Sequence, residues 1–182
     1  SAMRSGTILG MMQTSVGAHQ HRSCRANFRG KSMGEYDKNV LPKGVQLVPK
    51  IFRDGGYYSF NEGTGKDDFN FEFDQNEMYD HSTGGWNFKG AKNGSEWSGC
   101  PKGKPFFGQI QISGGKSGGR AKKVTPLDKV PVPPYYPDVP EVRKEIANHY
   151  DCLLFTDDQV GQIIAALKRD GLYGNTVIFL IS

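Results

Sequence analysis

The chain has 182 residues, enough for one domain with a real core, and with 36% hydrophobic residues its mean hydropathy is −0.56. No apolar run approaches the roughly 18 residues of a membrane span and no secretory leader pattern is visible, while 24 Gly and 10 Pro point to many loops. The net charge of +4 suits an anionic ligand, but the basic stretches "HRSCRANFRGK" and "GKSGGRAKK" do not interleave aromatics as stacking platforms do, so neither nucleic acid nor a membrane is an expected partner.

In chain order, residues 5–12 read as a short helix of small and apolar residues, and residues 17–44 as a Gly-punctuated polar loop. "VQLVPKIFRDGGYYSFNEG" predicts a helix stopped by Gly55-Gly56, then a strand at Tyr57–Phe60. Residues 61–104 lack periodicity and read as a long loop region, a length that favours a functional role. "PFFGQIQI" reads as a strand bounded by Pro105 and Gly114-Gly115, and "VPVPPYYPDVP" as extended chain. A long helix follows, for which Asp138 is the expected N-cap, with Glu141 completing a capping box and Pro140 in the first turn. Its apolar stripe is Val142, Ile146, Leu153, Val160, Ile163, Ile164 and Leu167, and Gly171 or Gly174 stops it. "TVIFLIS" reads as a continuous apolar strand of the kind buried on both faces of a parallel sheet. Strand and helix alternate, so the class is α/β, and no repeats are present.

Ligands gather beyond the carboxyl ends of parallel strands. Two such ends lead to lysines: "NEGTGKDD" carries Lys66 and Asp68, and "SGGKSGG" carries Lys116. Two lysines from separate loops could make an anion site, or each could be solvated. "SGGKSGG" is not a nucleotide phosphate loop, because Ile110 stands where the first Gly is needed and Gly118-Gly119 oppose a following helix. His19 and His21 could chelate a metal as a pair, but further ligands at matching spacing are not evident. Cys24, Cys100 and Cys152 are widely spaced and show no CxxC, which favours thiols and leaves one disulfide open. Asp157 and Asp158 read as the polar face of the helix or as a structural pair.

Taken together, these stretches resemble the type I sulfatase family, whose signature is Cys-x-Ala/Pro-x-Arg. "SAMRSGTILG" fits that signature from its second position, with Ala2 at the Ala/Pro position and Arg4 at the arginine. "QTSVGAHQHRS", "LPKGVQLVPKIFRDGGYYS" and "GKDDFNF" are similar to the stretch that leads to the family's active-site lysine. The segment from "VPVPPYYPDVP" to "TVIFLIS" is similar to the heparan N-sulfatase (sulfamidase) branch. The resemblance covers nearly the whole chain.

The resemblance implies an alkaline-phosphatase-like α/β fold with a mostly parallel central sheet flanked by helices. It implies that residues 1–182 are an internal segment of one catalytic domain, running from just after the nucleophile to just before a second pair of metal ligands. A calcium ion, held mostly by residues outside this segment, and a formylglycine hydrate just before Ser1 are the expected cofactors. A maturation enzyme that makes the formylglycine is then an expected partner, and a sulfated carbohydrate the expected substrate. Arg4 would orient the hydrate and offset its charge, Lys66 would bind the sulfate group, and Lys116 would stand where many members carry His. Asp68 also stands where many have His, while His19, His21 and Arg22 would line the substrate cleft. The expected location is periplasmic, secreted or lysosomal. Two readings compete with sulfate hydrolysis: a phosphate or phosphonate ester hydrolase of the same superfamily, and a glycan-binding relative without catalysis.

Overall fold

A computed structural model describes residues 2–19, 27–28, 31–32, 39–63, 69–83, 97–115 and 121–181, with the backbone alone for 27–28 and 31–32. The chain divides into two compact units, Ser1–Trp86 with Lys92–Gln111, and Asn87–Ala91 with Ile112–Ser182.

In the first unit, helix α1 (Ala2–Leu9) is followed by a single 3₁₀ turn at Gln13–Val16. Two-residue strands β1 (Asn27–Phe28) and β2 (Lys31–Ser32) pair antiparallel inside the stretch read as loop. Helix α2 (Val48–Asp54) carries a Pro in its first turn and ends where Gly55 N–H meets Ile51 O at 3.0 Å. The next elements are β3 (Tyr58–Glu62), α3 (Gln75–Met78), β4 (His81–Thr83), a 3₁₀ turn at Trp97–Gly99 and β5 (Phe106–Ile110).

The sheet order is β4-β3-β5, and both pairings are parallel. β3 starts one residue later than its sequence suggests and runs on to Glu62. It is the central strand and is buried at all five positions, including Ser59 and Asn61 at 0% exposure. Flanking it, Phe60 faces Gly108 of β5 and His81 of β4 in register.

Of the stretch 61–104, the described residues 69–83 and 97–104 hold more structure than its lack of periodicity suggests. Phe69, Phe71, Met78 and Tyr79 join Ile8, Leu9, Val16, Ala18 and Leu47 in one buried cluster. Phe69 and Phe71 stack with centroids 5.6 Å apart, and Phe73 meets Phe69 edge-on at 4.9 Å. These aromatics alternate along the chain, Phe69, Phe71, Phe73, and this short period-2 run is what buries them without a helix.

In the second unit, a 3₁₀ turn at Leu127–Lys129 and an irregular proline-rich stretch precede the 30-residue helix α4 (Pro140–Arg169). The expected capping box does not form. Val139 is the N-cap and makes no side-chain cap bond. The Asp138 carboxylate is instead taken by Arg143, with Nε to Oδ1 at 2.5 Å and Nη2 to Oδ2 at 2.7 Å. A two-pronged guanidinium bond outcompetes a single backbone N–H for the same carboxylate. α4 ends in a Schellman turn, with Leu172 N–H on Leu167 O at 2.9 Å and Gly171 N–H on Lys168 O at 3.1 Å. Its buried residues are Ala147, Asp151, Cys152, Gln159, Ala166 and Leu167, whereas Leu153 of the expected stripe is 45% exposed.

The expected buried strand at "TVIFLIS" is also corrected. Residues 177–181 are assigned to no strand and are exposed, with Val177 at 80% and Phe179 at 82%. A strand exists only as a pairing, and among the described residues this run has no neighbour to form a ladder with. Cys100 and Cys152 are not joined in a disulfide, and Cys24 lies outside the described residues.

Candidate functional site

The first unit directs its chain toward the carboxyl end of the sheet. Glu62, the last residue of β3, stands level with Thr83 of β4 and Ile110 of β5. Gly63 N–H donates to Thr83 Oγ1 at 3.0 Å, and Gln111 N–H donates to Glu62 O at 2.8 Å. The segment leading to Lys66 and the segment leading toward Lys116 therefore begin at adjacent, in-register strand ends, the usual ligand side of a parallel sheet. Lys66, Asp68 and Lys116 themselves lie outside the described residues, as do His21 and Arg22.

Arg4 is half-buried on α1. The helix turns Ser5, Ile8 and Leu9 inward, an i, i+3, i+4 face seated on the aromatic cluster, and Arg4 stands at its margin. His19 is exposed directly after Ala18, which is 0% exposed.

Among the described residues, Tyr58, Asp80 and Cys100 stand together at the opposite end of the sheet. Burial pushes the Tyr58 phenol up, with Asp80 and Cys100 adding to the effect. Burial likewise pushes the Cys100 thiol up, against the pull of Lys104, and Sγ lies 3.2 Å from Lys104 O. Such a thiol stays protonated near neutrality. Asp80 closes this end structurally, accepting Ser59 N–H at 2.8 Å and Arg53 Nε at 3.0 Å.

In the second unit, α4 grips both segments that flank residues 116–120. Gln159 Oε1 accepts Ser113 N–H and Oγ–H at 3.1 Å, and Gln159 Nε2 donates to Ser113 O at 2.7 Å. Thr156 Oγ1 donates to Ser113 O at 3.1 Å, while Gly115 N–H donates to Thr156 Oγ1 at the same distance. Gly114 has φ +112°, and a Cβ there would fall on Thr156 Oγ1, so only glycine fits. On the other side, Asp151 Oδ1 accepts Thr125 Oγ1 at 2.6 Å, Thr125 N–H at 3.0 Å and Val124 N–H at 3.3 Å. The Thr125 hydroxyl bond does most to hold this carboxyl below the usual range; burial opposes it, and the two backbone N–H groups and Lys123 assist. Asp158 accepts Gln162 Nε2 at 2.8 Å on the exposed face, as a polar helix face does.

Several of these groups were not apparent from the sequence: Ser5, Asp151, Thr156 and Gln159. The stripe read on α4 did not signal Asp151, which lies on the opposite side of the helix from Val142 and Val160. Among the described residues, no three His, Cys, Asp or Glu side chains come together to hold a metal ion, and no helix is long and apolar enough to cross a membrane.

Comparison with known proteins agrees with this architecture. A family model described as Sulfatase matches residues 8–182, and the chain belongs to the sulfatase family. A curated relative, the ulvan-active sulfatase of Formosa agariphila, is 23% identical over 221 residues, covering 97% of this chain and 34% of its own length. A solved structure from work on the metabolism of multiple glycosaminoglycans by Bacteroides thetaiotaomicron superposes with a TM-score of 0.54 at 15% identity, covering 94% of this chain and 46% of its own. The fold is thus α/β and part of an alkaline-phosphatase-like architecture. The chain spans about a third of the length of the curated relative it matches.

Proposed function

We propose that residues 1–182 are an internal segment of a single sulfatase catalytic domain, and that the whole protein hydrolyses sulfate esters or sulfamates on sulfated, glycosaminoglycan-type sugars. The observation that carries this is the family match over residues 8–182. The relatives lend support to the substrate class: one is ulvan-active, and the other comes from work on glycosaminoglycan metabolism. The exposed apolar run 177–181 supports an internal segment, since such a run needs a cover of the kind a neighbouring strand gives.

In this reading Arg4, Lys66 and Lys116 are the fixed cations. Sulfate transfer spreads negative charge over nonbridging and leaving oxygens, and preorganised cations stabilise that charge most where water is excluded. Lys66 binds the sulfate oxygens. Arg4 holds and neutralises the nucleophilic oxygen, which a formylglycine hydrate preceding Ser1 would supply after action of a maturation enzyme. Lys116 holds the sulfate or its bridging atom. Asp68, His19, His21 and Arg22 line the cleft that reads the sugar. The proposed calcium takes its ligands mostly from residues outside this segment. The proposed location is periplasmic, secreted or lysosomal.

The test uses the full-length protein with sulfated and desulfated disaccharides and, in parallel, phosphate monoesters and diesters. Release of sulfate with no release of phosphate is the expected result. Lys66→Ala should lower kcat/KM by about 2–4 kcal/mol of transition-state stabilisation, the range for losing one preorganised donor. Phosphate release in place of sulfate release would overturn the reading, and so would a protein that binds the sugar and turns over neither.

A further inference from the structure

One buried residue ties three segments to the α1 helix. Asn70 and Ser5 are both 0% exposed. The backbone N–H of Asn70 donates to Ser5 Oγ at 2.9 Å, across 65 residues of sequence. Its side-chain Nδ2 donates to Ala18 O at 3.0 Å. Its own carbonyl accepts Asn39 Nδ2 at 3.0 Å, and the same amide nitrogen reaches Val16 O at 2.8 Å. Asn39 is fixed in turn by Glu72 N–H on its carbonyl at 2.9 Å. Residue 70 thus spends a backbone donor, a backbone acceptor and a side-chain donor on α1, residue 39 and residue 18.

These bonds lie against the cluster of Ile8, Leu9, Val16, Ala18, Phe69 and Phe71. In such surroundings a polar group must be answered by a partner, and a network that is fully answered selects one arrangement over its neighbours. The apolar contacts of Ile8 and Leu9 alone would let α1 rotate or slide by a fraction of a turn, because hydrophobic burial is not directional. The Ser5–Asn70 bond removes that freedom one residue from Arg4.

We propose that Ser5, Asn70 and Asn39 are positioning residues that set the axial register and rotation of α1, and through it the placement of the Arg4 guanidinium. This rests on the role proposed for Arg4 in sulfate transfer. Ser5 supplies the acceptor on the helix and Asn70 supplies the matching N–H. Asn39 holds the Asn70 carbonyl, on the following peptide group, and so limits rotation of the backbone at residue 70. None of the three touches substrate in this account.

The experiment is a set of double-mutant cycles in the full-length protein, assayed by hydrolysis of 4-nitrophenyl sulfate below the melting temperature of every variant. Ser5→Ala, Asn70→Ala and Asn39→Ala are each made alone and on Arg4→Ala. The expected result is a fall in kcat on the order of ten- to a hundred-fold for Ser5→Ala, the scale of a small misplacement of a reacting group, with KM changed less than about two-fold. On the Arg4→Ala background the same substitution should change kcat less than about two-fold while lowering the melting temperature as much as before. Asn39→Ala, which removes only a half-buried amide, repeats the test should Ser5→Ala or Asn70→Ala fail to fold. Equal losses of kcat on both backgrounds, or full kcat in folded Ser5→Ala and Asn39→Ala, would overturn the proposal. A kcat unaffected by Arg4→Ala alone would instead strike the role of Arg4 itself.

Discussion

Gly108→Ala should destabilise the protein even though alanine is the better residue for a strand. Gly108 lies on β5 directly opposite Phe60 of β3, and the Phe60 ring lies over it. A Cβ at position 108 would stand 2.6 Å from Phe60 Cε1 and 2.7 Å from Cε2, with Cζ between them closer still. The ring has nowhere to go: Phe60 is 1% exposed, with Tyr58 and Phe106 rings at centroid distances of 6.2 and 6.0 Å. Overfilling a packed site of this kind costs about 1–3 kcal/mol. The gain from replacing glycine inside a strand offsets about 0.5–1 kcal/mol of that. A net loss of about 1 kcal/mol, the centre of those ranges, corresponds to a fall of at most roughly 2–4 °C in melting temperature, since the shift per kcal/mol shrinks as the domain grows. The assay is thermal unfolding of the full-length protein carrying Gly108→Ala, Phe60→Leu and both. Phe60→Leu should cost stability alone, yet cost at least about 1 kcal/mol less in the Gly108→Ala background, because the smaller side chain relieves the clash. A Gly108→Ala protein as stable as the parent, or strictly additive losses, would refute the close approach of ring and backbone.

Three further outcomes are expected. Lys116→Arg should retain more activity toward a sulfate ester than Lys116→His or Lys116→Ala, because the role proposed for Lys116 needs charge alone; equal loss in all three would remove that role. Asp151, whose folded-state pKa is lowered, contributes stability that is present above the ordinary carboxylate value of 3.8 and lost as pH falls through the folded value. The gap in melting temperature between the parent and Asp151→Asn should therefore hold steady from about pH 5 to pH 8 and narrow below about pH 4; a gap that closes above pH 6 contradicts the assignment. Residues 1–182 expressed alone should show no cooperative thermal transition and few dispersed amide signals, and a sharp transition would argue that this segment folds by itself.

Much of the fold was legible where residue type and spacing carry the information. Pro49 and the pair Gly55-Gly56 bracket α2, and β-rich "YYSF" and "PFFGQI" locate β3 and β5. The class follows from that alternation. Composition failed where a strand depends on a neighbour: "VIFLI" has the make-up of a buried strand, yet pairing is a property of two segments, and one segment cannot declare it. The capping box failed for a related reason. Asp138 has the right type and position for a cap, but Arg143 lies within reach and offers two charge-assisted bonds.

The groups that hold the loops of the site were the least legible, and the cause is chemical. Periodicity detects apolar faces, so the small and apolar run of α1 is visible in the sequence, but of the stripe read on α4 only Leu167 is buried. Ser5, Asn70, Asp151, Thr156 and Gln159 bond chiefly to backbone N–H and C=O groups, which every residue but proline carries. Such a bond has no complementary residue type for a reader to search for, whereas an ion pair or an aromatic contact does. On α4, Asp151 lies on the side away from Val142, Leu153 and Val160, so no sign of it shows in the stripe read from the sequence, and the segments that Asp151 and Gln159 hold flank residues 116–120. Sequence therefore offers charged candidates for facing a ligand more readily than it offers the residues that hold the backbone still, because charge is written in the residue type and the path of the backbone is not.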